Sequence, residues 1–357
     1  MDFYQHLFDY VSKLQFEGFN CTLENRDKSL TPSCIPSKGT IFFSNTQVVY
    51  FLLYNFASLT LVERYVISHL AFTLGKYDIA TIFLNLCSRM FIKENKKIVK
   101  RICKDPHLLA DQMLFLLFHE IGHCHFNKDK EYKQKIIDLL PVNDLKENYG
   151  ENIEKGLPEI ENKAPFWYRL IMPKGSTERS MSESQKLVDF KTAKNRYLEE
   201  LACDRYALEQ IALNSQHLEE QGLFLMNLYA YSIKALYGIG HDVETESVFI
   251  PNEDPTKSEE ELSILHANKL QEYAFRIGIL QLSAWDILST FENEGLLKQF
   301  SKLSKNRPHF KSIKEHFYHN IDYSLFNSFE DKGEITKEEY TMNRNKFNNL
   351  VLSIFDE

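Results

Sequence analysis

Apolar residues recur at helical spacing through most of this chain, and four successive segments carry the pattern before residue 130: 46–57, 60–74, 76–100 and 106–126. The fourth is the most strongly apolar. It opens on Asp105 and Pro106, an N-cap acceptor followed by a proline whose missing N–H costs nothing in a first turn. Leu108, Leu109, Leu116, Leu117 and Phe118 make it apolar around much of its circumference, which predicts burial, and Asn127 stands where it would stop. A later helix is predicted in RYLEELACDRYALEQIAL, where Tyr197, Leu198, Leu201, Ala202, Leu208 and Ile211 share helical spacing. Behind it come an apolar helix in LEEQGLFLMNLYAYSIKALYG, a polar loop over 241–261, and helices near 258–281 and 283–300. Strand signals are few. Residues 1–35 read as a helix and then a loop ended by Pro32 and Pro36, and GTIFFS (39–44) is a short strand candidate. The predicted fold class is mainly α with a small β-sheet.

The apolar helix carries polar groups that need an explanation. His119-Glu120-Ile121-Gly122-His123 places two imidazoles four residues apart, on one face of a helix, where they can bind one zinc ion together. Glu120 then lies beside the position of a bound water, as a general base requires. Asp111 adds a further charge to the same buried helix, and an unpaired buried charge costs several kcal/mol or neutralises itself. Gly122 weakens the helix by about 1 kcal/mol relative to Ala, which points to close packing beneath it. A catalytic zinc takes three protein ligands and keeps one position open. In the 196–213 segment Glu200 and Asp204 are four apart, so Glu200 as third ligand leaves Asp204 one turn away to accept a ring N–H of a ligating histidine. Glu199 is the competing ligand, but four residues beyond it stands Cys203, a poor acceptor. Cys124 and His125 lie off the face of the two histidines, Cys124 as a small buried residue and His125 as a surface or supporting one.

HEIGH, followed at a distance by ELACD within EELACDRYAL, resembles the HExxH…ExxxD pattern of gluzincin-type zinc metallopeptidases. It is nearest the phage-exclusion Lit-like and the ImmA/IrrE-like peptidases, and the matching segments cover about a tenth of the chain. The resemblance implies a zincin-like α+β fold, with His119, His123 and Glu200 as zinc ligands, Glu120 as base and Asp204 as orienting residue. It also implies an endopeptidase acting on a protein or peptide substrate, with phage defence or stress response as the setting. Related peptidases carry a His and an Arg downstream that steady the oxyanion; here His266 and Arg276 occupy such a region, with His266 the candidate, while Tyr206 reads as core. In zincins a strand near the active helix forms the edge that pairs with extended substrate, a role GTIFFS could take. The alternative is a zincin scaffold that has lost turnover and serves as a binding or regulatory protein.

Composition narrows the setting. The 357 residues are 43% hydrophobic and 13% aromatic, a folded chain with a substantial core. A formal net charge of −8 gives no electrostatic reason to bind nucleic acid, and the basic run Lys93–Lys104 reads as a solvated helix face. Six cysteines without CxxC spacing fit a reducing compartment, and the start of the chain shows no signal peptide, so a cytoplasmic location is expected. Residues 39–62 lack charge but contain Ser44, Asn45, Thr46, Gln47, Asn55 and Ser58, which predicts a strand and a buried helix and no stable membrane insertion. We expect one metallopeptidase domain over 1–300 and a C-terminal helical extension over 301–357 with a turn at Asp331-Lys332-Gly333. Within the domain, 127–183 is rich in Lys, Glu and Asn around APFWYRLIMP. It is too long for a plain connection, and reads as a lid or as an element that recognises a substrate or a protein activator.

Overall fold

The computed structural model describes residues 22–24, 30–103, 108–144, 195–214, 276, 278–280, 282–290 and 328–355. The predicted capping pair Asp105 and Pro106, the side chain of Asp111, the aromatic run 164–173 and the candidate His266 lie outside these residues. Three short strands come first: β1 (Thr22–Glu24), β2 (Ser33–Ile35) and β3 (Thr40–Phe42). Among the helices that follow are α1 (Asn45–Phe56), α2 (Leu59–Thr73), α3 (Tyr77–Ile102), α4 (Leu108–Lys128), α5 (Lys130–Asp138), α6 (Asn195–Asn214) and α7 (Lys337–Leu352), and residues 278–280 and 282–289 are helical as well. The class is mainly α with a small sheet. None of these helices is long and apolar enough to cross a membrane.

The sheet order is β1-β3-β2, with β1 parallel and β2 antiparallel to β3. GTIFFS therefore forms the central strand, buried along Thr40–Phe42, and not an edge that could receive a peptide. Its continuous apolar run, without alternation, is the signature of a strand covered on both faces. Among the described residues the edges are β1 and β2, and β2 packs against α4.

Local chemistry sets the helix starts. The Ser44 N–H donates to Gln47 Oε1 at 2.7 Å, and the fully buried Gln47 amide donates to the Thr31 carbonyl at 2.8 Å, so α1 begins where the strand ends. Ser58 caps α2 by accepting from the Leu61 N–H, and donates its own hydroxyl to Glu94 of α3 at 2.7 Å. The core runs through α1, α2, α3, α4 and α6. The basic run on α3 leaves Lys93, Lys96, Lys97 and Lys100 exposed.

α7 belongs to the same core. Tyr340, Phe347 and Val351 are buried against α3 and α1, and the Arg344 guanidinium stands 4.8 Å from the Phe72 ring centroid and 5.6 Å from that of Tyr340. The turn before α7 forms at the expected place, with Gly333 at φ +68. Asp78 of α3 clasps it by accepting the backbone N–H groups of Lys332, Glu334 and Ile335 at 2.7–3.1 Å. A carboxylate with three backbone donors is held below its ordinary pKa even though burial works the other way.

His69 of α2 is buried beside this seam, with neither ring nitrogen partnered among the described residues. Burial, assisted by the charge of Arg344, lowers its pKa from 6.5 to about 3. Between those values the unfolded chain takes up a proton that the folded chain refuses, so stability falls as pH falls through that window. The expected loss is about 2 kcal/mol on going from pH 7 to pH 5, at about 1.4 kcal/mol per unit below 6.5. Urea unfolding at both pH values should show a smaller drop for His69→Phe than for the parent; equal drops would put the acid sensitivity elsewhere.

Candidate metal centre

α4 and α6 pack closely along the segments that carry the two motifs. Gly122 makes this possible: a Cβ there would meet Tyr206 Cδ1 at 3.1 Å, Cys203 Sγ at 3.2 Å and the Cys203 Cα at 3.4 Å. A methyl group must push α6 away or be compressed. Gly122→Ala gains about 1 kcal/mol of helix propensity and meets an overpacking cost of about 1–3 kcal/mol, so we expect a net loss of about 1 kcal/mol. Thermal melts with chelator present measure it, and a variant as stable as the parent would show that the helices have room to adjust.

The close packing brings His119, His123 and Glu200 together, with one ligand atom from each lying within 4.8 Å of the others. Glu200 faces both rings: Oε2 is 3.3 Å from His119 Nε2 and Oε1 is 3.4 Å from His123 Nε2. These are long for N–H···O hydrogen bonds, which cluster near 2.9 Å. They match the separation of about 3.3–3.4 Å between donors that each lie about 2.0–2.1 Å from a tetrahedral ion. The three residues form a site that could hold a metal ion.

The far side of each ring is also occupied. His119 Nδ1 lies 2.8 Å from Asp204 Oδ1, and His123 Nδ1 lies 3.2 Å from Glu199 Oε1. Glu199 and Glu200 thus divide the work: Glu200 faces the Nε2 atoms and Glu199 stands behind one ring. Asp204 is buried and receives Arg276 at two points, Nε to Oδ2 at 2.7 Å and Nη2 to Oδ1 at 3.0 Å. Nη2 also reaches Glu200 Oε2 at 3.4 Å. Arg276, considered above as an oxyanion donor, is spent on these two carboxylates. Glu199 is held by Lys133 of α5.

Electrostatics follow from this acidic surround. Burial opposes charge on His119 and on His123. Hydrogen bonds to Asp204 and Glu200 in the first case, and to Cys203, Glu199 and Glu200 in the second, outweigh it and hold both pKa values up. Burial would raise Glu200 and Asp204, but the two imidazoles and Arg276 hold both down. His123, ahead of Lys133, draws Glu199 down to about 2. Glu200 is the carboxylate that faces the two Nε2 atoms, while Asp204 and Glu199 stand behind the rings, paired with Arg276 and Lys133. Glu120 behaves differently: burial raises its pKa against the pull of His119 and His123.

Two thiols complete the surroundings: Cys203, whose place one residue before Asp204 allowed it to approach the site, and Cys34, which no spacing pointed to. Cys34 of β2 hydrogen-bonds with Glu120 and Cys124, and Cys203 hydrogen-bonds with His123. The hydrogen bond with Cys124, and then burial, push the Cys34 pKa up, and burial pushes up that of Cys203, so both are thiols and not thiolates at neutral pH. His125 stacks on Tyr132 of α5 with ring centroids 4.7 Å apart, and Tyr206 is buried beside it. Comparison with protein-family models, with curated proteins and with solved structures gives no match to this chain.

Proposed function

We propose that this chain is a gluzincin-type zinc endopeptidase that hydrolyses peptide bonds of a protein substrate. The observation that carries the reading is the donor set itself. Two imidazole Nε2 atoms face the two oxygens of one carboxylate at 3.3 and 3.4 Å, each ring is backed by a carboxylate, and a half-buried glutamate follows the first ligand. A zinc ion held by His119, His123 and Glu200 supplies the Lewis acidity that polarises a peptide carbonyl and acidifies water at neutral pH.

The chain's own residues do the rest. Glu120 takes a proton from the attacking water as its oxygen bonds to the carbonyl carbon; the C–N bond then breaks and Glu120 delivers that proton to the leaving amine. Asp204 and Glu199 hold the two rings with Nδ1–H outward and the Nε2 lone pairs toward the centre. Arg276 keeps Asp204 and Glu200 ionised. β2 is the sheet edge nearest Glu120, by way of Cys34, and an extended substrate would add to that edge through main-chain hydrogen bonds.

Elemental analysis of purified protein should find about one zinc per chain. New protein N-termini after induced expression, absent with Glu120→Gln, would identify substrates and test the phage-defence or stress setting that the resemblance suggests. A protein that binds no zinc would end the reading.

A further inference from the structure

His119 and His123 are backed in unequal ways. Asp204, behind His119, is buried and locked by two contacts from Arg276. Glu199, behind His123, has a side chain 27% exposed, and water would compete for it if nothing held it in place. What holds it is Lys133, 66 residues earlier in the chain, on the helix that opens the 127–183 insertion. That helix is itself fixed to the metal helices. Asp129 caps it at Tyr132 N–H (2.8 Å), Tyr132 stacks on His125 of α4, and Arg205 of α6 donates to the Leu139 carbonyl at 2.9 Å just past its end.

We propose that Glu199 is a positioning residue for His123 and that Lys133 is its anchor, so that the insertion's first helix is a working part of the metal centre. The proposal rests on the zinc reading of the site. An Nδ1–H donated to a carboxylate fixes the tautomer that leaves Nε2 free to ligate, and makes that nitrogen a better donor. Lys133 orients the Glu199 carboxylate toward the ring. Displacing α5 from α4 and α6 would release Glu199 and weaken the hold on the cation.

The test measures zinc affinity of the full-length protein by competition with a chromophoric chelator, together with the visible spectrum of the cobalt(II)-loaded protein. Glu199→Ala is expected to bind zinc about 10–100-fold more weakly, with a shifted cobalt spectrum. Glu199→Gln, which keeps an acceptor for Nδ1–H, should recover part of that loss; it also serves if the alanine variant fails to fold. Lys133→Met should weaken binding severalfold in the parent and not at all in the Glu199→Ala background, whereas Lys130→Met on the same helix should change neither. Two results overturn the proposal: Glu199→Ala holding zinc as tightly as the parent while His123→Ala does not, or Lys133→Met weakening both backgrounds equally. A parent protein that binds no zinc fails at the earlier step and overturns the zinc reading as well.

Discussion

Glu120→Gln is expected to keep about one zinc per chain and the parent's melting temperature while losing turnover by about 10³-fold or more. The glutamine amide has nearly the shape of the carboxylate and can still accept the Cys34 thiol proton, so the fold has no reason to change. What it loses is the ability to take a proton from water and return it to an amine. A loss of 10³ corresponds to about 4 kcal/mol of transition-state stabilisation, within what one positioned acid–base group supplies. The measurement pairs zinc content with cleavage of a substrate found by N-terminal proteomics. Retained cleavage with full zinc would show that another group carries the proton. Lost zinc would mean that Glu120 helps to hold the cation, contrary to the donor separations.

The residues of the candidate metal site were readable because helical spacing is a local property. The four-residue interval of His119 and His123 fixes a common face wherever the helix packs, and the same interval from Glu200 to Asp204 distinguished that pair from Glu199 and Cys203. Glu199 read only as a rival ligand, because its role depends on α5 carrying Lys133 back to the site, and no spacing encodes that fold-back. Cys34 beside Glu120 was invisible for the same reason: β2 brings it there from far upstream. The strand at 39–44 was found but its place in the sheet was not, since an apolar run specifies burial and not order. The packing of α7 was legible in principle. Tyr340, Arg344, Phe347, Asn348 and Val351 keep one helical face, but a buried arginine and asparagine broke the apolar pattern; the structure places the arginine against Phe72 and the asparagine amide on Thr46.

The other large effect concerns the pair that locks the first histidine. Asp204 and Arg276 are charges with side chains 2% and 12% exposed, bound to one another at two points. Removing either partner strands the other in a poorly solvated place, at a cost of about 3–5 kcal/mol. Arg276→Met and Asp204→Leu should therefore each lower stability by that order, measured by urea unfolding with chelator present so that metal binding does not enter. The double variant should recover part of the loss, because neither member of the Asp204–Arg276 pair is left facing the other's empty place, while Glu200 still loses its contact with Arg276. Zinc affinity should behave otherwise. It depends on the acceptor at His119 Nδ1, so Asp204→Leu and the double variant are both expected to bind about 10–100-fold more weakly. Losses of stability that simply add would show that the two residues are not one coupled unit. A double variant with parental zinc affinity would show that Asp204 braces the helices without tuning the ligand.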